Sequence, residues 1–170
     1  EATVKEVIRR LRSYQTVDGS FSYWPGGTAP NAWGTVYAIH FLLEAEKKGY
    51  LVPEGMKRNA LNDLSRIARN WKPEASYSAE SEEMTQAYRL FVLALGQVAE
   101  VGAMNRLKES KTLMSMSRYL LAAGYALVGR PDVSKELVVK TTALTTACSG
   151  YDQTFGSDLR DASIRLMTLC

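Results

Sequence analysis

The sequence predicts an all-α fold of helical hairpins stacked in an array, on three observations. Apolar residues recur at helical spacing along nearly the whole chain. The helices so marked alternate between those apolar around most of their circumference and those with one apolar stripe and one wet face. The broadly apolar stretches TVYAIHFLLEA, TQAYRLFVLAL, RYLLAAGYALVG and LRDASIRLMTL are alike, with central alanines Ala38, Ala87, Ala122 and Ala162 at intervals of about 35–50 residues. That interval, with one inner and one outer helix per unit, is the period of stacked hairpins. An array of this kind closes into an alpha/alpha toroid or stays open as a solenoid, and spacing alone serves both. A closed ring needs more hairpins than this chain carries, so the chain would form only part of one.

The first element places Val4, Val7, Ile8 and Leu11 at helical spacing, with Lys5, Glu6, Arg9, Arg10 and Arg12 between them. No cap precedes it. From Ala32 to Ala45 a helix apolar almost all round follows Asn31, a good N-cap behind Pro30, and stops at Gly49. After Pro53, Met56, Ala60, Leu61, Leu64, Ile67, Ala68 and Trp71 form one stripe. Lys57, Arg58, Asn59, Asn62, Asp63, Arg66 and Arg69 occupy the other side, which is expected to face water.

The alternation repeats with a broadly apolar helix over Glu82–Val98, a short polar one near Met104–Glu109, and a broadly apolar one over Leu113–Val128 that Gly129 and Pro131 stop. A thinly striped segment spans Val133–Val139, and Thr141–Gly150, rich in β-branched residues, reads as extended. Ser157 or Asp158 caps a last helix carrying Leu159, Ala162, Leu166 and Leu169. Both terminal helices run into the chain ends without a cap or stop, and the chain opens on Glu1 and closes on Cys170, so it reads as a slice of a larger protein.

Of the 170 residues 46% are hydrophobic and 23% charged, which excludes a disordered or fibrous chain. The net charge of +3 is scattered, so nucleic acid is not an expected partner, because phosphate binding concentrates cations on one face. No apolar run approaches the roughly 20 residues that span a bilayer. Cys148 and Cys170 form no CxxC pair, and with His40 the only histidine there are too few soft ligands for zinc. Neither a metal nor a cofactor is expected. The two thiols read as small buried hydrophobes, or as a disulfide if the compartment is oxidising.

The most unusual stretch is Gln15–Gly27, QTVDGSFSYWPGG. Asp18-Gly19 signals a turn, three aromatics follow, and Pro25-Gly26-Gly27 ends it. Its aromatics either line a binding surface or plug the end of the array. The candidate cluster is Phe21, Tyr23, Trp24, Trp33 and Tyr37. His40 has only Glu44, one turn on, as a carboxylate partner, which is more often structural than catalytic. Glu80, Glu82 and Glu83 sit where a helix N-terminus favours negative charge, and that suffices to explain them. No phosphate loop, nucleophile elbow or Asp-rich metal cluster is present, so no catalytic residue is assigned.

The stretches QTVDGSFSYWPGG, WGTVYAIHFLLEAEKKGYLVP, TQAYRLFVLAL, GAMNRLKE and FGSDLRDASIRLMTL, in this order, resemble the thioester-domain region of bacterial alpha-2-macroglobulin-like proteins. The resemblance implies that residues 1–170 are one helical domain, a fragment of an alpha/alpha toroid within a much larger protein of the periplasm or cell envelope. It further implies a non-enzymatic protease trap, in which an attacking protease cleaves a bait region and a thioester captures it. The partners implied are the target proteases and the other domains of the parent chain. The family's Cys-x-Glu-Gln thioester motif surrounds neither Cys148 nor Cys170, and would fall before Glu1. In complement relatives a histidine in a later hairpin loop tunes the thioester; the counterpart Lys72–Glu83 has none, and His40 lies in a different helix. Two other classes use similar scaffolds: an alpha/alpha-toroid enzyme acting on an isoprenoid or carbohydrate, and a helical scaffold for protein binding. The first needs a metal site or a paired acid and base that no residues here supply; the second needs a polar concave surface.

Overall fold

The computed structural model describes residues 2–73, 79–110, 113–139 and 157–169, and among them every regular element is an α-helix. These are α1 (Ala2–Leu11), α2 (Ala32–Lys47), α3 (Glu54–Asn70), α4 (Ala79–Leu95), α5 (Val101–Lys108), α6 (Ser115–Leu127), α7 (Pro131–Val139) and α8 (Asp158–Leu169). The extended segment expected at Thr141–Gly150, and both cysteines, lie outside the described residues. The chain folds as two compact units, Glu1–Ile67 and Ala68–Cys170.

In the first unit α1 packs on α2 through Ile8, its one buried residue. Asn31 caps α2 as expected, its side chain accepting the Gly34 amide at 2.6 Å. The helix ends where Gly49 turns into the left-handed region at φ +86°, with the Tyr50 amide returning to the Ala45 carbonyl at 3.0 Å. α2 buries Val36, Ala38, Ile39, Leu42 and Ala45, while Phe41 and Leu43 are half-covered and Tyr37 faces out, so it is less enclosed than its composition predicts. Lys57 ties α3 to α2 through Glu46 at 2.9 Å. The stripe Met56, Ala60, Leu61, Leu64 is buried as expected, each large apolar side chain contributing about 1.5–3 kcal/mol. Asp63 corrects the expectation, because it is buried although it was placed on the wet side of this helix.

The second unit is built around α4 and α6. Every residue of α4 from Glu83 to Ala94 is buried, the strongest form of the enclosure its sequence predicts. α6 buries Tyr119 to Tyr125 without a break and packs against α4, α5, α7 and α8. The α4–α6 approach is close at Gly124: a Cβ there would stand 3.2 Å from Met104 Cε and 3.5 Å from Phe91 Cα. Tyr125 donates its hydroxyl to Asn105 Oδ1 at 2.6 Å, tying α5 to α6. α7 buries Val133 and Leu137.

Ser157, of the two candidates, caps α8 by accepting the Arg160 amide at 3.1 Å. α8 meets α6 through Thr168, which donates to the Tyr119 carbonyl at 3.1 Å, and Arg165, whose guanidinium lies 5.7 Å from the Tyr119 ring centre. Ala87 and Ala122 are fully buried, whereas Ala162 is exposed, which corrects its grouping with them. The reason is rotation about the helix axis: α8 turns Arg165 and Thr168 to α6, leaving Leu159, Ala162, Leu166 and Met167 on the opposite face.

The close approach at Gly124 has a measurable consequence. Gly124→Val should cost about 1–3 kcal/mol by driving α6 from α4, seen as a lower urea midpoint; an unchanged midpoint would mean the approach is not tight.

Candidate functional site

The residues between α1 and α2 form a folded hook made of two small loops. In the first, the Gly19 amide donates to the Thr16 carbonyl at 3.0 Å, closing a turn over Thr16–Gly19 with Val17 at its tip. Gln15 and Phe21 pair antiparallel across it, and the Ser22 amide donates to the Tyr14 carbonyl at 2.8 Å. In the second, Ser22 pairs with Pro30, and the Gly27 amide closes on the Trp24 carbonyl at 3.1 Å. Tyr23 and Trp24 occupy this second tip.

The hook is fastened to α2 and to α3. On the α3 side, Ser20 donates its hydroxyl to Asp63 Oδ2 at 2.5 Å, and Arg66 holds the other oxygen, Oδ1. Gln15 donates Nε2 to the Met56 carbonyl at 2.9 Å and to that of Gly19 at 3.1 Å. Gly19 rests on the α3 backbone with φ +109°, and a Cβ there would strike the Asn59 carbonyl. On the α2 side, the Phe21 amide donates to Thr35 Oγ1 at 2.8 Å, and the Thr35 hydroxyl donates to the Phe21 carbonyl at 3.1 Å. The Asn31 amide also donates to that carbonyl, at 2.8 Å. Ser20, Thr35 and Asp63 are all buried, so each polar group is removed from water only where a partner meets it.

Burial divides the five candidate aromatics. Phe21 is 2% exposed and anchors the hook, whereas Tyr23, Trp24 and Tyr37 are 57%, 71% and 64% exposed. Trp33 is half-buried one turn before Tyr37. Tyr23 and Trp24 contact each other edge to face, with ring centres 4.9 Å apart at 77°. The arrangement is thus a pair of outward aromatics on a hydrogen-bonded tip.

His40 lies half-buried on α2, and burial pushes its pKa below the ordinary value against the weaker pull of Glu44. That environment favours a neutral imidazole. The three glutamates at the start of α4 are not alike: Glu80 and Glu82 are exposed, but Glu83 is buried and accepts the Met114 amide at 2.9 Å, so the helix N-terminus alone does not account for it. Among the described residues no group of His, Cys, Asp and Glu is placed to hold a metal ion, and no helix is long and apolar enough to cross a membrane.

No family model matches the chain. It is similar to the alpha-2-macroglobulin of Escherichia coli strain K12, 28% identical over 176 aligned residues that cover 99% of this chain and 11% of that protein. It is similar also to the alpha-2-macroglobulin of Xylella fastidiosa strain Temecula1, 28% identical over 166 residues, covering 94% and 10%. The structure superposes on native E. coli alpha-2-macroglobulin with a TM-score of 0.84 at 25% identity, over 99% of this chain and 11% of that one. On the trypsin-activated form the TM-score is 0.83 at 25% identity, covering 99% and 12%. The chain therefore spans about a tenth of the length of the relatives it matches. In sequence and in fold the chain is similar to one helical region of the bacterial alpha-2-macroglobulins.

The hook's dependence on one glycine can be checked directly. Gly19→Ala should cost about 2–4 kcal/mol, from the positive φ and the collision with Asn59, read as the drop in unfolding free energy in urea. A change under about 0.5 kcal/mol would show that the turn does not rest on α3.

Proposed function

We propose that the chain is part of the thioester domain of a macroglobulin-like, broad-spectrum endopeptidase inhibitor of the bacterial cell envelope. The observation that carries this reading is the match of 99% of the chain, in sequence and in fold, to a protein whose solved forms include one activated by trypsin and another by porcine elastase. In this reading the chain performs no catalysis. Its helical hairpins form part of an alpha/alpha toroid, and residues 1–170 belong to one domain of the parent. The exposed apolar face of α8 supports an array that continues, since Leu159 and Leu166, 79% and 65% exposed, suit a face that a neighbouring layer covers.

The aromatic cluster, Phe21, Tyr23, Trp24, Trp33 and Tyr37, then lies towards the thioester-facing end of the domain. Phe21 supports the cluster from within, while Tyr23 and Trp24 meet the surroundings. The partners are the other domains of the parent and the proteases it captures, in an extracytoplasmic compartment, periplasm or cell envelope.

The test is protease capture by the full-length protein. A trap encloses its protease, so after mixing with trypsin the enzyme should keep activity on a small peptide substrate and lose most of it on a large protein. Equal loss on both, or none on either, would contradict the reading. The double variant Tyr23→Ala/Trp24→Ala should weaken capture while changing stability by about 1 kcal/mol or less, because both side chains are largely exposed. Unfolding of the variant would instead make the pair a packing element.

A further inference from the structure

The second loop of the hook stands beside the end of α1, and hydrogen bonds hold the two together. The Gly26 amide donates to the Ser13 carbonyl at 2.6 Å, and Ser22 reaches the Tyr14 carbonyl with its amide at 2.8 Å and its hydroxyl at 3.0 Å. Ser13 and Tyr14 directly follow Arg12, so the outward pair Tyr23 and Trp24 shares its neighbourhood with the arginines at the end of α1. Two of those arginines share one carboxylate: Glu6 accepts from Arg9 at 2.7 Å and from Arg10 at 2.8 Å. Arg12 is exposed and makes no side-chain hydrogen bond or ion pair among the described residues. From Val7 to Leu43 the one acidic residue is Asp18, in the other loop of the hook, which rests on α3. The surface at the tip is therefore aromatic at its centre and positive at its edge.

Chemistry and size together say what such a surface fits. Trp, Tyr and Arg are the side chains on which protein interfaces most often anchor. An unpaired guanidinium selects a carboxylate, which it meets with two parallel hydrogen bonds. A Tyr or Trp wholly covered buries about 150–250 Å², and here Tyr23 and Trp24 are 57% and 71% open. That area is far less than the roughly 800 Å² per partner of a stable contact between separate proteins. A partner on the same chain needs much less, because tethering raises its effective concentration to the order of millimolar. This chain spans 11% and 10% of the two bacterial relatives, which leaves most of a parent of that length to supply one. A bilayer is a poorer fit, since anionic lipid is recognised by clusters of about 4–8 Lys and Arg.

We propose that Arg12, Tyr23 and Trp24 form a docking knob for another domain of the parent chain, one that presents a carboxylate at the rim of an apolar hollow. The aromatic pair fills the hollow, and Arg12 pairs with the carboxylate and fixes the orientation. Because the hook is already folded and fastened to α2 and α3, docking has little left to order. The proposal rests on the reading of this chain as one domain of a longer inhibitor, and it names what the tip meets before any protease is captured.

Hydroxyl-radical labelling of the full-length protein, read by mass spectrometry at Tyr23 and Trp24 without protease or lipid, tests the knob. Both residues should be labelled several-fold more slowly in the wild type than in Arg12→Glu, whose reversed charge repels the carboxylate. Arg12→Lys, which keeps the charge, should stay close to the wild type, and so should Arg58→Glu, the same reversal at an exposed position on α3. Equal labelling in the wild type and Arg12→Glu would overturn the proposal. So would protection that appears only on adding trypsin, only with vesicles of phosphatidylcholine and phosphatidylglycerol, or only as the protein concentration rises. Those results would make the occupant the captured protease, a membrane or a second copy. Trypsin capture by the same samples keeps the two readings apart. Arg12-dependent protection without capture sinks the inhibitor and leaves the knob, whereas capture with Tyr23 and Trp24 freely labelled sinks the knob alone. Should Arg12→Glu fail to fold, the aromatic pair labelled in the wild type as fast as its exposure allows would still contradict docking.

Discussion

A serine hydroxyl donated to a buried carboxylate 43 residues along the chain is the contact on which the first unit's exposed surface depends. Ser20 and Asp63 are both withdrawn from water, and either one left alone would carry the desolvation penalty of an unpaired buried polar group. Together they fix the turn to α3, and Thr35 fixes the next residue, Phe21, to α2. The tip beyond them then has little freedom. Tyr23 and Trp24 are held out by these anchors together with bonds at the tip itself, where the Trp24 carbonyl accepts from the Ser22 hydroxyl at 2.7 Å and from the Gly27 amide at 3.1 Å.

The second unit solves a different problem by the same means. A helix buried from Glu83 to Ala94 must place its polar side chains without water, and hydrogen bonds meet Thr85, Gln86 and Arg89. Thr85 returns its hydroxyl to the Ser81 carbonyl at 2.7 Å, Gln86 donates to the Ala68 carbonyl at 3.0 Å, and Arg89 donates to Gln86. These bonds let α4 be enclosed on all sides while keeping a polar sequence that would otherwise favour the surface. Gly124 then admits α6 to close range.

The helices were legible because burial writes a period of 3.6 into the sequence, and caps such as Asn31 and stops such as Gly49 mark their ends. The Asp-Gly turn was legible for a similar reason, since Gly19 must adopt a φ that other residues avoid. Asp63 and Glu83 were not. Each sits among charged neighbours on its own helix, and only a partner distant in sequence, Ser20 or Met114, shows that it is buried. The outward placement of Tyr23 and Trp24 was likewise hidden, because composition marks aromatic residues without telling which side of a loop they take. Pattern reports the local period, whereas these sites are made by tertiary pairing.

The account turns on the Ser20–Asp63 contact, and a double-mutant cycle measures it. Unfolding free energies of Ser20→Ala, Asp63→Ala and the double variant should reveal a coupling of about 1.5–3 kcal/mol, the range for a hydrogen bond to a charged group. Additive effects, within about 0.5 kcal/mol, would show that the two residues act independently and that something else holds the hook.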